Sequence, residues 1–219
     1  MLALTMYALL NGCANQTELA KVSLSKKVNS DFPVEFKDLT VYPGGVSCGQ
    51  YKSYDKWGSG GRFRPFLVKD DVAITHPVAL DIAIFCSDNP AASLYSMLGI
   101  KASDVVRQIR TDFQQVRSAL ELFYQRNSRY PSTSEGLEAL VVPAKYGREL
   151  GPLEKGGYLA SIPQDPWNRA YIYHLSGLAG VKRDPQISTL GADAAVGGQD
   201  EDADVNSQYV KYLDHIETM

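Results

Sequence analysis

The 219-residue chain holds little of what reaction chemistry draws on most: three histidines and three cysteines. His76, His174 and His215 are scattered along it, and neither a Gly-x-Ser-x-Gly elbow nor a His-Glu-x-x-His pair occurs. His174, between Tyr173 and Leu175 in an apolar-aromatic run, reads as a structural or exposed histidine rather than a base. A pair of carboxylates can always be picked from 25 acidic residues, so that signal is empty. Catalysis is therefore not expected. Basic patches with interleaved aromatics are also lacking and the net charge is −3, so nucleic-acid binding is not expected either. The Gly-Ser-Gly-Gly run at 58–61 lacks the Lys-Ser/Thr pair and following helix of a phosphate loop, and reads as a flexible turn.

Long hydrophobic runs are missing too. The apolar start "MLALTMYALL" is about half the roughly 20 residues a bilayer span needs. It has the length of a signal-peptide core without a basic n-region, and "LNGC" at 10–13 resembles a bacterial lipobox, which would leave Cys13 lipid-carrying. Residues 14–30 are polar, lack a sustained apolar period, and read as a tether between that anchor and the folded body. With Cys13 set aside, Cys48 and Cys86 remain as a pair that an oxidising compartment would join. Two unpaired buried cysteines are the alternative, while the wide spacing does not suit zinc.

From 31 to 100 the chain reads as a small β-rich domain. "FPVEFK" alternates apolar and polar residues, and "RFRPFLV", "DVAITH" and "ALDIAIFC" follow as candidate strands. "NPAASLYSMLGI" offers Asn89 as N-cap and Pro90 at the first helical position. The pattern then changes over 101–219. Val106, Ile109, Phe113, Val116, Leu120 and Phe123 form one apolar stripe at steps of three and four, predicting a long amphipathic helix that stops before Pro131. Ser132 and Glu135 form a capping-box pattern for a second, short helix carrying Leu137, Leu140 and Val141. Asp165-Pro166-Trp167 reads as a turn that drops Trp167 onto the core, and "AYIYHL" and "QISTL" as strands. The fold class expected is α+β: a long helix on a small antiparallel sheet, preceded by the β-rich domain.

The densest charge lies in "LGADAAVGGQDEDADV" at 190–205. Asp193, Asp200, Glu201, Asp202 and Asp204 fall within it, and no Lys or Arg occurs from 184 to 210. Two carboxylates held 4 Å apart repel by about 1 kcal/mol in water and about 4 kcal/mol near a protein surface. The segment must therefore splay into solvent or gain a cation. Calcium suits it, taking 6–8 oxygens from carboxylates and carbonyls, with magnesium second. An EF-hand is excluded, because counting from Asp200 places Val205 where glycine is required and Lys211 where glutamate is required. Composition alone leaves a solvated acidic loop and a cation cage both open.

The order of "RYPSTSEGLEALV" (129–141), "GGYLASIPQDPWNRAYIYH" (156–174) and the acidic segment, after an amphipathic helix, resembles the C-terminal globular domain of the major pseudopilin of type II secretion systems, the G-type subunit. The resemblance covers roughly 103–207. It implies a pilin-like fold whose acidic loop binds one structural calcium. The ligands so implied are the carbonyl of Leu190, the carboxylates of Asp193 and Asp200, one of Asp202 and Asp204, and the carbonyl of Val196. Ala194 stands where the family commonly has glycine.

Such pseudopilins also carry a basic leader and an apolar N-terminal helix half that this sequence does not show, so an ordinary polymerising pseudopilin is not expected. The expectation is a non-catalytic, exported protein with a lipid on Cys13, periplasm-facing in a Gram-negative envelope. Ala14 after Cys13 favours the outer membrane by the sorting rule of some bacteria. Its partners would be proteins, secretion-system subunits among them. A free-standing envelope binding module reusing the fold is the alternative.

Overall fold

A computed structural model describes residues 2–141, 157–177 and 183–219, with side chains from residue 15 onward. The chain divides into two compact units. The first is Met1–Met97 with His215–Met219; the second is Leu98–Asp214.

The first unit opens with helix α1 (Leu2–Lys27). This replaces the expected tether with a helix, and the reason is a short ladder. Ala20, Leu24 and Val28 recur every four residues, and Ala20 and Leu24 are fully buried while Leu19 and Val22 stay half exposed. Three small contacts on one face suffice once a sheet is there to receive them. That sheet is antiparallel in the order β1 (Glu35–Tyr42), β2 (Val46–Lys52), β3 (Arg64–Lys69), β4 (Val72–Ile74). Against α1 it sets Tyr51, Phe66, Val68 and Ala73, with Phe66 edge-on to both Phe36 and Tyr51 at 6.0 Å. Burying a side chain such as Phe66 contributes about 1.5–3 kcal/mol. The β3–β4 hairpin turns on Asp70 and Asp71, both at positive φ as a two-residue I′ turn requires.

Phe66, Leu67 and Val68 are buried in succession, as are Val46, Ser47 and Cys48. Both faces of the central strands are therefore covered. Cys48 pairs across the sheet with Leu67, and its sulfur is bonded to Cys86, Cα to Cα 5.9 Å. Cys86 caps a helix where a strand was expected: α2 (Ala79–Phe85). An apolar run of this length fits either period. Asp81 decides it, since its carboxylate accepts a hydrogen bond from the Val78 amide at 3.1 Å and closes the first turn. Asp81, Ile84 and Phe85 then share the buried face. Helix α3 (Pro90–Leu98) starts as its sequence predicts, with Asn89 Oδ1 accepting from the Ala92 amide at 3.0 Å.

The second unit is built on α4 (Asp104–Asn127). Ser103 Oγ caps it by accepting from Val106 N, and Ser128 ends it in the left-handed region. All six predicted stripe residues are buried, with Ala119 added. The sheet is β5 (Ile172–Ser176), β6 (Asp184–Thr189) and the two-residue β7 (Val205–Asn206), all antiparallel. Phe113 meets Tyr171 edge-on at 5.1 Å, and the Tyr171 hydroxyl donates to Asp112 Oδ2 at 2.7 Å. The capping box forms in both directions, Glu135 N to Ser132 Oγ and Ser132 N to Glu135 Oε2. The box leads into a 3₁₀ turn (Leu137–Leu140) rather than an α-helix, because Gly136 sits at φ 64 and breaks the helical path. Arg129 grips Glu135 with two hydrogen bonds, which with the Ser132 amide hold its carboxyl down to about pKa 2. The pattern thus reads as α+β throughout, with β2 and β7 not anticipated. Among the described residues no helix is long and apolar enough to cross a membrane.

Candidate metal centre

The acidic loop runs from the end of β6 to β7, so both of its ends are fixed by a sheet. Asp202 lies at its centre. A Cβ added at Gly191 or at Gly198 would overlap the Asp202 backbone, and both glycines have positive φ (63 and 86). The two glycines therefore exist to let three passes of backbone approach one another. Ala192 N donates to the Glu201 carbonyl at 2.8 Å, Asp204 N to the Gly197 carbonyl at 3.1 Å and Asp200 N to the Gly99 carbonyl at 2.9 Å. Ala194 takes φ 58, a left-handed turn position that glycine would adopt more easily.

The loop is braced from below by residues that sequence reasoning read only as a turn. Asp165 is buried, 4 % exposed, whereas Trp167 is only partly covered, with the Arg169 guanidinium 5.3 Å over its ring. The Asp165 carboxylate accepts from the amides of Trp167 and Arg169, from Arg169 Nε and from Thr189 Oγ1 at 2.8 Å. Arg169 passes on a further hydrogen bond to the Gly191 carbonyl. The run Asp-Pro-Trp-Asn-Arg, with its arginine four positions after the aspartate, was the available signal. A buried carboxylate must be saturated with donors, and an arginine at that distance supplies them.

The predicted ligands differ in exposure. Asp193, Val196, Asp200 and Asp202 are exposed, Leu190 is partly covered, and Asp193 Oδ1 already accepts from the Ala195 amide at 2.9 Å. Asp204 is different. Its Oδ2 accepts from the Gly197 amide at 2.9 Å, and its Oδ1 is buried with no hydrogen-bond partner. An unsatisfied buried carboxylate oxygen costs several kcal/mol unless a positive group answers it. Among the described residues no three Asp, Glu, His or Cys side chains converge on one point. A cation here would need backbone carbonyls as well, and a hard cation such as calcium accepts them readily. The donor set fits calcium in kind.

The remaining sequence-predicted residues lie elsewhere. Cys48 and Cys86 are joined in the first unit, and Cys13 falls within the span of α1. His76 and His174 are exposed, His76 beside Thr75 Oγ1 at 3.1 Å. His215 is fully buried, which its place near the C-terminus did not foretell. Its ring meets Phe85 edge-on at 5.0 Å, and burial, aided by Lys69 and opposed by Asp70, lowers its pKa.

Residues 97–208 match the family described as "Type II secretion system (T2SS), protein G". The "Type II secretion system core protein G" of Pseudomonas aeruginosa is 35% identical over 123 residues, spanning 51% of this chain and 84% of that protein. The protein of the same description from Vibrio cholerae is 35% identical over 112 residues, 51% of this chain and 74% of that one. Among solved structures, the major pseudopilin from the type 2 secretion system of enterohaemorrhagic Escherichia coli is 28% identical. That match covers 48% of this chain and 93% of the pseudopilin, at a TM-score of 0.33.

Proposed function

The chain belongs to the type II secretion system protein G family, and on that premise we propose that it is a non-catalytic, lipid-anchored envelope protein whose second unit, steadied by calcium, makes protein contacts in a secretion assembly. The family match and the second unit coincide almost residue for residue, 97–208 against 98–214. The part of the molecule that shares the family's sequence is therefore a compact unit in its own right.

The single observation that carries the calcium reading is the buried, unpartnered Asp204 Oδ1 inside a loop of five acids. Asp204 and Asp193, with Asp200 or Asp202 and the carbonyls of Leu190 and Val196, would hold the ion. Calcium supplies charge neutralisation that no basic side chain of the loop provides. The chain's own part is to bring three backbone passes together through Gly191 and Gly198 and to fix them on the Asp165–Arg169 brace. Attachment would come from a lipid on Cys13, with the folded units facing the periplasm of a Gram-negative envelope. Partners are proteins of the secretion machinery.

The test is thermal unfolding of the full chain with calcium and after chelation. Calcium at about a hundred times its Kd adds about 2.7 kcal/mol, a rise in Tm of roughly 5–10 °C. Asp204→Ala and Asp193→Ala should each remove most of that rise. Equal melting with and without calcium would sink the metal reading. Secretion-system subunits recovered with the membrane-extracted protein would support the assembly reading, and their absence would point to a free-standing envelope module.

A further inference from the structure

Between β2 and β3 of the first unit, residues 53–63 form an excursion that neither the family match nor the acidic loop involves. It is not a loose loop. The Asp55 carboxylate accepts from the amides of Trp57 and Ser59, both at 2.9 Å, and the Asp55 amide donates to the Ser59 carbonyl at 3.2 Å. Gly58 N donates back to the Asp55 carbonyl at 3.0 Å, and Tyr54 bridges to Gly60. Its base is tied to the chain before β1, because the Tyr54 amide donates to Ser30 Oγ and the Tyr54 carbonyl accepts from Asp31 N.

This ordered turn presents Trp57 at its tip, 79 % exposed. Phe32 (47 %) sits edge-on to Tyr54 at 6.3 Å and beside Gly58, and Phe63 (37 %) immediately precedes β3. A disordered loop exposes a tryptophan at little cost. A turn this heavily hydrogen-bonded holds one in water against the hydrophobic effect. The charge around it is one-sided. Lys56 lies over the Trp57 ring at 5.0 Å, and Lys56, Arg62 and Arg64 form no ion pair among the described residues. Of the nearby acids, Asp55 is committed to its own turn and Glu35 to Tyr54 and Lys52, which leaves the exposed Asp31 carboxylate at the base against three cations at and beside the tip.

We propose that this aromatic–basic tip docks the first unit on an anionic lipid bilayer surface. A convex tip with an amphipathic indole and three unpaired cations matches a flat, negatively charged headgroup layer, where tryptophan rings settle and each Lys or Arg adds attraction. The inference does not rest on a lipid at Cys13 or on the calcium loop.

The experiment uses the full chain carrying Cys13→Ser, so that no acyl chain contributes, with the disulfide formed. It is sedimented with vesicles containing phosphatidylglycerol and with vesicles of phosphatidylcholine alone. The protein should bind the anionic vesicles, less so at raised salt. Binding should weaken about tenfold in Trp57→Ala and by at least as much in Lys56→Glu/Arg62→Glu. Each side chain is exposed, so the variants should melt with the parent. Binding that ignores vesicle charge, or that Trp57→Ala leaves intact, overturns the proposal. So does retention on purified peptidoglycan with none on vesicles, which would make the tip a glycan reader.

Discussion

The two units hold their irregular segments in different proportions of internal and external ties. In the first, the 53–63 turn is tied mainly by its own backbone and by Asp55, with Ser30 and Asp31 holding its base, and it carries unpaired positive charge into solvent. In the second, the 190–205 loop is negative, and to its own backbone hydrogen bonds it adds a brace from outside itself, through Asp165, Arg169 and Thr189. The same contrast runs through their cores. One closes a small sheet with a covalent bond between Cys48 and Cys86; the other relies on one long apolar stripe and buried polar networks. A unit with an externally braced loop fails when the brace is cut. A unit with a self-tied turn does not lose its turn that way.

Three measurements probe that contrast, in order of expected size. Asp165→Ala strands the Trp167 and Arg169 amides, Thr189 Oγ1 and a guanidinium, and should cost the second unit about 3–5 kcal/mol in urea titration. Hydrogen exchange should show the loss in peptides of 98–214 and none in those of 15–97. Equal loosening of the first unit would show that the Asp165 brace does not act on the acidic loop alone. Cys48→Ser with Cys86→Ser opens a loop 38 residues long and should cost the first unit about 3–4 kcal/mol, with calcium response unchanged. Third comes acid. His215 is held below its ordinary pKa in the folded chain, so the unfolded chain takes up the proton first. The stability this neutral ring contributes is complete above about pH 6.5 and is lost as pH falls toward the folded value. His215→Leu should flatten that limb in the first unit alone; an unchanged limb would mean that another group titrates there.

Legibility differed between the units for a physical reason. The α4 stripe places six apolar residues at steps of three and four with no interruption, and Asn89 and the Ser132–Glu135 pair are caps whose partners lie three residues away. Local signals of that kind need no tertiary context. Helix α1 has only the Ala20–Leu24–Val28 ladder, which is invisible until a sheet gives it something to pack against. Helix α2 is an apolar run of ambiguous period, settled by one Asp81 hydrogen bond. The acidic loop was readable as charge, and as family resemblance, but not as a brace. The Asp165–Gly191 connection spans residues far apart in the chain, and only β6 brings Thr189 over the Asp165 turn.

Sequence alone was enough for the α4 stripe, the local caps, the place of the acid cluster and the family, while it left the pairing of Cys48 with Cys86 as one of two alternatives. Periodicity, capping and composition are properties of neighbouring residues, and they survive without a fold. The tertiary structure alone decided which carboxylate is buried and unanswered, which histidine is sealed from water, and which tryptophan is held outside. Burial is a property of the whole chain, and the same aspartate, histidine or tryptophan acquires its chemistry only from what is packed against it.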